Sequence, residues 1–66
     1  MSNKITFGEL NATHLEAEIA YTDGDTLVTG KLKDVSHYEN VTLINVYGQL
    51  PKQRRQTHAI TIVKLA

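Results

Sequence analysis

The chain has 66 residues, with seven Lys plus Arg, seven Asp plus Glu and no Cys, so its formal net charge at pH 7 is zero. So short a chain holds one core, and we expect a single domain over residues 1–66. The lack of Cys excludes disulfides and thiolate metal sites. There is no apolar run of about 18 residues and no signal-peptide start, so we expect a soluble, cytoplasmic protein without a membrane partner.

The charges are unevenly divided along the chain. Residues 1–28 carry one basic and five acidic groups, a balance of −4, whereas residues 29–66 carry six basic and two acidic groups, a balance of +4. This asymmetry predicts either opposite charges on neighbouring subunits or a local basic rim for an anion, and the sequence leaves both open.

A short helix is predicted near the N-terminus. Thr6 and Glu9 have the spacing of a capping box, in which each side chain satisfies a free backbone N–H at a helix start. Gly8, Asn11 and Thr13 are poor helix formers, so we expect one to two turns that end before residue 15.

The apolar residues then take the period of a β-strand. The alternation over residues 15–21 predicts a strand with one buried face, followed by a tight turn in which Gly24 takes a positive φ. Residues 26–37 predict a second, long strand with Gly30 near its middle. A glycine inside a strand marks a bulge or a sharp bend, and a bent long strand allows a small barrel to close.

The remaining segments complete an all-β domain. Residues 41–47 predict a third strand, residues 48–56 predict the one long loop, and residues 57–65 predict one bent strand or two short ones. The chain is too short for a β-sandwich. We therefore predict an all-β barrel that follows a short N-terminal helix.

Two segments resemble the signatures of the Sm and LSm proteins. In the first signature a mid-strand Gly lies ten positions before an Asn that opens the next strand, as do Gly30 and Asn40. Further residues of matching type are Leu32, Val35, Tyr38 and Leu43. The second signature, an Arg-Gly pair before a short apolar strand, resembles residues 58–65 with His58 and Ala59 in place of the pair. Ser36 replaces the acidic residue of the family.

The resemblance implies a five-stranded, strongly bent SH3-like barrel of the Sm kind with a short N-terminal helix. Such a barrel forms a homo-oligomer through its edge strands, with strand four of one copy pairing with strand five of the next. It also implies a site for single-stranded RNA or DNA. There Tyr38 would stack on a base, Asn40 would hydrogen-bond it and His58 would cover its other face. The alternative interpretation is that Asn40 is a turn residue and Tyr38 an exposed hairpin aromatic.

A basic cluster lies in the predicted long loop. Lys52, Arg54 and Arg55 are candidates for contacts with nucleic-acid phosphates. The alternative is a solvated loop tip with no ligand.

A different function is also open. Residues 9–15 resemble small uncharacterised proteins of actinobacterial phages and prophages. The alternative to nucleic-acid binding is therefore a phage-type accessory or structural module that binds a protein partner and has no nucleic-acid role, since fold does not imply function.

The sequence suggests neither an active site nor a metal site. His14, His37 and His58 lack the spacing of metal ligands. Ser36 and His37 are neighbours on a strand and would point to opposite faces, so they cannot form a catalytic dyad without a bulge. No glycine-rich phosphate loop is present. We expect a non-enzymatic protein without cofactor or metal.

Overall fold

The computed structural model describes residues 3–66, which form one antiparallel sheet. The strands are β1 (Asn3–Thr6), β2 (Glu18–Asp23), β3 (Thr26–His37), β4 (Val41–Val46), β5 (Lys52–Arg55) and β6 (Ala59–Lys64). Their order across the sheet is β1-β6-β2-β3-β4-β5. The predicted all-β class is confirmed. The described residues form six strands instead of the predicted five, and the sheet is not closed because β1 and β5 are not paired.

The long strand β3 joins the two halves of the sheet. Its first half pairs with β2, with Gly30 opposite Ile19, and its second half pairs with β4, with Leu32 opposite Val46. The register shifts between Leu32 and Asp34, which places a bulge beside the change of partner. A Cβ on Gly30 would lie 2.5 Å from Cγ1 of Val46, so this approach of β4 requires a glycine. The predicted bounds of the long strand, residues 26–37, are confirmed.

The predicted N-terminal helix is wrong. After β1 the chain makes two 3-10 turns, Phe7–Glu9 and Ala12–His14. The predicted capping pair is present at the first of these turns, where the Thr6 N–H donates to the Glu9 carboxylate at 2.9 Å. Leu10 ends the first turn, and Asn11 caps the second by accepting the Thr13 N–H at 2.9 Å, which favours two short turns over a continuous helix.

The predicted loop over residues 48–56 is also wrong, because it contains β5. Residues 52–55 pair with β4, from Val41 opposite Arg55 to Ile44 opposite Lys52. The segment that follows forms the single strand β6. Backbone pairing, and not an apolar pattern, makes β5 a strand.

Both edges of β6 are occupied within one copy. β1 pairs with one edge, with Ile5 opposite Ile60, and β2 pairs with the other, with Ile19 opposite Ile62. The last strand therefore has no free edge for a neighbouring subunit. The predicted contact between strand four of one copy and the last strand of the next stays a prediction, and it would require β1 to leave this edge.

The core lies between the two halves of the sheet and the 3-10 turns. Its buried apolar residues are Phe7, Leu10, Ala17, Ile19, Tyr21, Leu32, Ile44, Val46, Ile60 and Ile62. Phe7 and Tyr21 pack edge to face, with ring centroids 5.5 Å apart. The Tyr21 hydroxyl is buried without a hydrogen-bond partner among the described residues, and burial raises the pKa of Tyr21 above its ordinary value.

A histidine at the end of β3 fastens the 3-10 segment to the sheet. Nε2 of His37 lies 2.7 Å from the carbonyl oxygen of Leu10, and Nδ1 lies 2.7 Å from the hydroxyl of Thr42. A carbonyl only accepts, so Nε2 carries the proton and, in the neutral ring, Nδ1 accepts from the Thr42 hydroxyl. This bond satisfies the hydroxyl of Thr42, which is fully buried.

Candidate functional site

Gln56 joins two turns at one end of the sheet. Its side-chain amide donates to the carbonyl oxygens of Tyr38 at 2.8 Å and Val41 at 3.3 Å, and its backbone N–H donates to the carbonyl of Asn40 at 3.3 Å. The β3–β4 tip is thereby held beside the turn between β5 and β6, where the His58 N–H donates to the Arg55 carbonyl at 2.9 Å. Tyr38, Asn40, Arg55 and His58, which lie far apart in the sequence, come to the same end of the molecule.

Two open depressions lie side by side at this end. The larger, of about 660 Å³, is lined by Glu39, Asn40, Val41, Arg55, Gln56 and Thr57. The smaller, of about 420 Å³, is lined by Val41, Gln53, Arg54, Arg55, Thr57 and His58. They share Val41, Arg55 and Thr57, so Arg55 is the charged residue common to the depression with Asn40 and the depression with His58. Tyr38, which is 57% exposed, lines neither depression but lies in the β3–β4 tip that Gln56 holds at this end.

His58 is half-buried and less free than the resemblance implies. Its ring packs edge to face on Phe7, with centroids 5.5 Å apart, and its carbonyl accepts the Phe7 N–H at 2.9 Å. The ring is thus fastened to the core at one side and reaches only the smaller depression. His58 can form a wall of a site but cannot swing across it.

Asp23 neutralises part of the predicted basic cluster. Its carboxylate accepts from the Arg54 guanidinium at 2.5 Å and lies 3.4 Å from Nζ of Lys52. Arg54 also stacks over the Tyr21 ring, 5.7 Å from its centroid. Among residues 3–66, Arg55 makes no ion pair within 4.0 Å. Of the three predicted phosphate contacts, Arg55 is the one whose charge is uncompensated.

Two residues of this end were missed in the sequence. Gln56 is the last residue of the predicted loop. Its side-chain amide follows a basic strand and is well suited to bridge backbone carbonyls. Glu39 directly precedes the candidate base-binding residue Asn40, and no motif in the sequence predicts a role for its carboxylate. The structure places Glu39 in the wall of the larger depression.

The other histidines are engaged in holding the fold. Nδ1 of His14 accepts the Asn11 N–H at 3.0 Å, and both ring nitrogens of His37 have partners. In the part of the chain that the structure describes, no group of three His, Cys, Asp or Glu side chains is placed to hold a metal ion. The same residues include no helix long and apolar enough to cross a membrane.

Comparisons of the chain with models of known families, with curated proteins and with solved structures find no match. The resemblance of the sequence to the Sm and LSm signatures therefore stays a prediction.

Proposed function

We propose that the chain is a non-enzymatic SH3-like barrel of the Sm kind that binds single-stranded RNA or DNA at its tip surface. We define the tip surface as Tyr38, Asn40, Arg55 and His58. The observation that carries the proposal is the bridge made by Gln56, which gathers an exposed aromatic ring, an amide, an uncompensated guanidinium and an imidazole at one end of the sheet.

The strand order supports the barrel part of the proposal. From β2 to β6 the chain has five antiparallel strands, and the long β3 pairs with β2 in one half and with β4 in the other. A strand shared in this way between two halves of a sheet is how a small open barrel is built. The added strand β1, on the outer edge of β6, departs from the pattern that the resemblance implies.

The side chains of the tip surface have complementary chemistry for a single strand. A base stacked on the Tyr38 ring gains roughly 1–3 kcal/mol. The Asn40 amide offers both a donor and an acceptor to a base edge. Arg55 can pair with a phosphate, and because it is the one uncompensated cation among the three that were predicted, we expect modest affinity and a shallow salt dependence.

Fluorescence anisotropy tests the proposal directly. Labelled oligo-U and oligo-A of about ten nucleotides would be titrated with the protein at low and moderate salt. We expect binding at tens of micromolar or tighter, weakened at least about fivefold by Tyr38→Ala and weakened also by Arg55→Ala. Tyr47→Ala and Lys64→Ala are the matched controls, since both residues are exposed and neither belongs to the tip surface. Absence of binding to both oligonucleotides contradicts the proposal.

A second candidate function is a phage-type accessory or structural module that binds a protein. The observation in its favour is the outer edge of β5, which has no strand partner among residues 3–66 and can accept an extended segment. A combined Tyr38→Ala, Asn40→Ala and His58→Ala variant separates the two functions. Lost oligonucleotide binding with an unchanged fold supports the first. Capture of a protein partner that the variant retains, without any oligonucleotide binding by the parent chain, supports the second.

A further inference from the structure

The larger depression at the tip surface has both an acidic and a basic wall. Glu39 and Arg55 line it together with Asn40, and neither charged side chain makes an ion pair within 4.0 Å with any of residues 3–66. A carboxylate repels phosphate, so Glu39 would weaken a site that recognised only the backbone of a nucleic acid. Its presence beside Arg55 suits a ligand that presents an anion to one wall and N–H donors to the other.

The bases differ in what they offer to a carboxylate. An ionised carboxylate only accepts, and its two oxygens can take two parallel N–H bonds. Guanine presents two adjacent donors, N1–H and the N2 amine, on its Watson–Crick edge. Cytosine and adenine present one amine beside an acceptor nitrogen, and uracil presents one N–H between two carbonyl oxygens. Guanine is thus the base whose edge matches a single carboxylate in both positions.

We infer that the larger depression selects guanine in a single strand, with Glu39 accepting from N1–H and the N2 amine, Asn40 contacting the same base and Arg55 pairing with a neighbouring phosphate. This inference rests on the proposed function and names the base preference of the same surface. Unstacked bases of single strands are read in this way on their Watson–Crick edges. Discrimination by one bidentate contact is about tenfold.

The test uses the full chain and oligo-U strands that differ at one central nucleotide. A strand with guanosine there should bind about tenfold more tightly than strands with inosine, which lacks the N2 amine, or with uridine. Glu39→Gln should remove this preference, so that the guanosine and uridine strands bind this variant equally. Glu18→Gln is the control, because Glu18 is an exposed carboxylate that lines a different depression, with Lys31 and Lys64.

Each outcome decides a different point. Equal affinities of the parent chain for the guanosine, inosine and uridine strands overturn the inference and leave the proposed function standing. Binding of none of the strands overturns both. Guanosine monophosphate as competitor distinguishes a free nucleotide from a strand: displacement at the same concentration as the unlabelled guanosine strand overturns the single-strand ligand, and displacement only at much higher concentration supports it.

Discussion

Nε2 of His37 donates to the carbonyl oxygen of Leu10 across 27 positions of sequence, at 2.7 Å. This hydrogen bond ties the second half of β3 to the 3-10 segment that covers one end of the core. The other ring nitrogen serves the buried hydroxyl of Thr42. One side chain thus satisfies a backbone group of the connecting segment and a polar group of β4.

Replacing this histidine should destabilise the fold. His37→Ala leaves the Thr42 hydroxyl without its partner, and we expect the free energy of unfolding to fall by about 1–3 kcal/mol in urea titrations. Adding Thr42→Val, which removes the hydroxyl and keeps the shape, should cost less in the His37→Ala background than in the parent chain. Ser36→Ala is the control on the same strand, and an equal loss from it would contradict the role of His37.

The bend of β3 gives a second stability prediction. Gly30→Ala places a Cβ 2.5 Å from Cγ1 of Val46, so we expect a loss of about 1–3 kcal/mol from overpacking. Val46→Ala removes the contacting methyl, and the double variant should lose less than the sum of the two single variants in the same urea titrations. Thr29→Ala, on the exposed side of β3, should change stability little. Additive losses would show that the close approach is not the cause.

The unpartnered hydroxyl of Tyr21 predicts a stabilising substitution. Tyr21→Phe removes a buried polar group, and we expect the melting temperature to rise with a gain of about 1 kcal/mol. Tyr38→Phe, at an exposed ring, should leave stability unchanged. A fall in stability after Tyr21→Phe would indicate that the hydroxyl has a partner in solution.

The same tyrosine predicts the alkaline limit of stability. Burial raises the pKa of Tyr21 above 10.0, so the folded state holds its proton more strongly than the unfolded chain. The resulting stability is present below pH 10.0 and is lost as the pH rises through the higher folded pKa. Thermal melts above this pH should therefore decline less steeply for Tyr21→Phe. Tyr47, whose pKa is raised by its hydrogen bond to Glu16, accounts for part of the remaining decline.

The ion pairs of Asp23 predict a gain in nucleic-acid affinity. Asp23→Asn releases Lys52 and Arg54 beside the tip surface, at a stability cost of about 1 kcal/mol or less. Oligo-U binding should tighten, and the slope of log affinity against log salt should steepen by about 0.7 for each released cation that meets a phosphate. Asp25→Asn makes the same change of net charge at an exposed turn position. Equal effects of the two variants would mean that net charge alone is responsible.

The free strand edges predict the state of assembly. Within residues 3–66, the edges still open are those of β1 and β5, which carry Lys4 on one and Lys52, Arg54 and Arg55 on the other. Pairing of β5 with β1 of a second copy brings like charges together, so we expect light scattering to give the mass of one chain, 7.4 kDa. A larger mass at moderate salt would restore the predicted homo-oligomer through these edges.

The sequence predicted the strands in which apolar and polar residues alternate, and it missed the strands without this alternation. β3 and β4 bury one face, and their apolar period placed them correctly. β1 and β5 are short polar edge strands, which become strands because a neighbouring strand offers backbone partners. The cap at Thr6 was correctly predicted, but it opens a 3-10 turn because the residues that follow are poor helix formers.

The candidate site was also predicted only in part from the sequence. The resemblance to the Sm signatures predicted that Tyr38, Asn40 and His58 form one site. In the structure, the β3–β4 tip and the β5–β6 turn, which carry these residues, lie side by side. Arg54 and Asp23 are 31 positions apart in the sequence, so no local sequence pattern predicts their ion pair. The same holds for the packing of His58 on Phe7, which depends on how the 3-10 turn meets the end of β5.

Asn3 stands opposite Ile62 in the pairing of β1 with β6, so the two ends of the described chain lie next to each other. A short linker from β6 to β1 would turn this distant pair into a local hairpin, and new termini could open at Gly24, an exposed turn position. In such a circular permutant the β1–β6 pairing becomes local while the β2–β3 pairing becomes long-range, so we expect it to fold no faster than the parent chain.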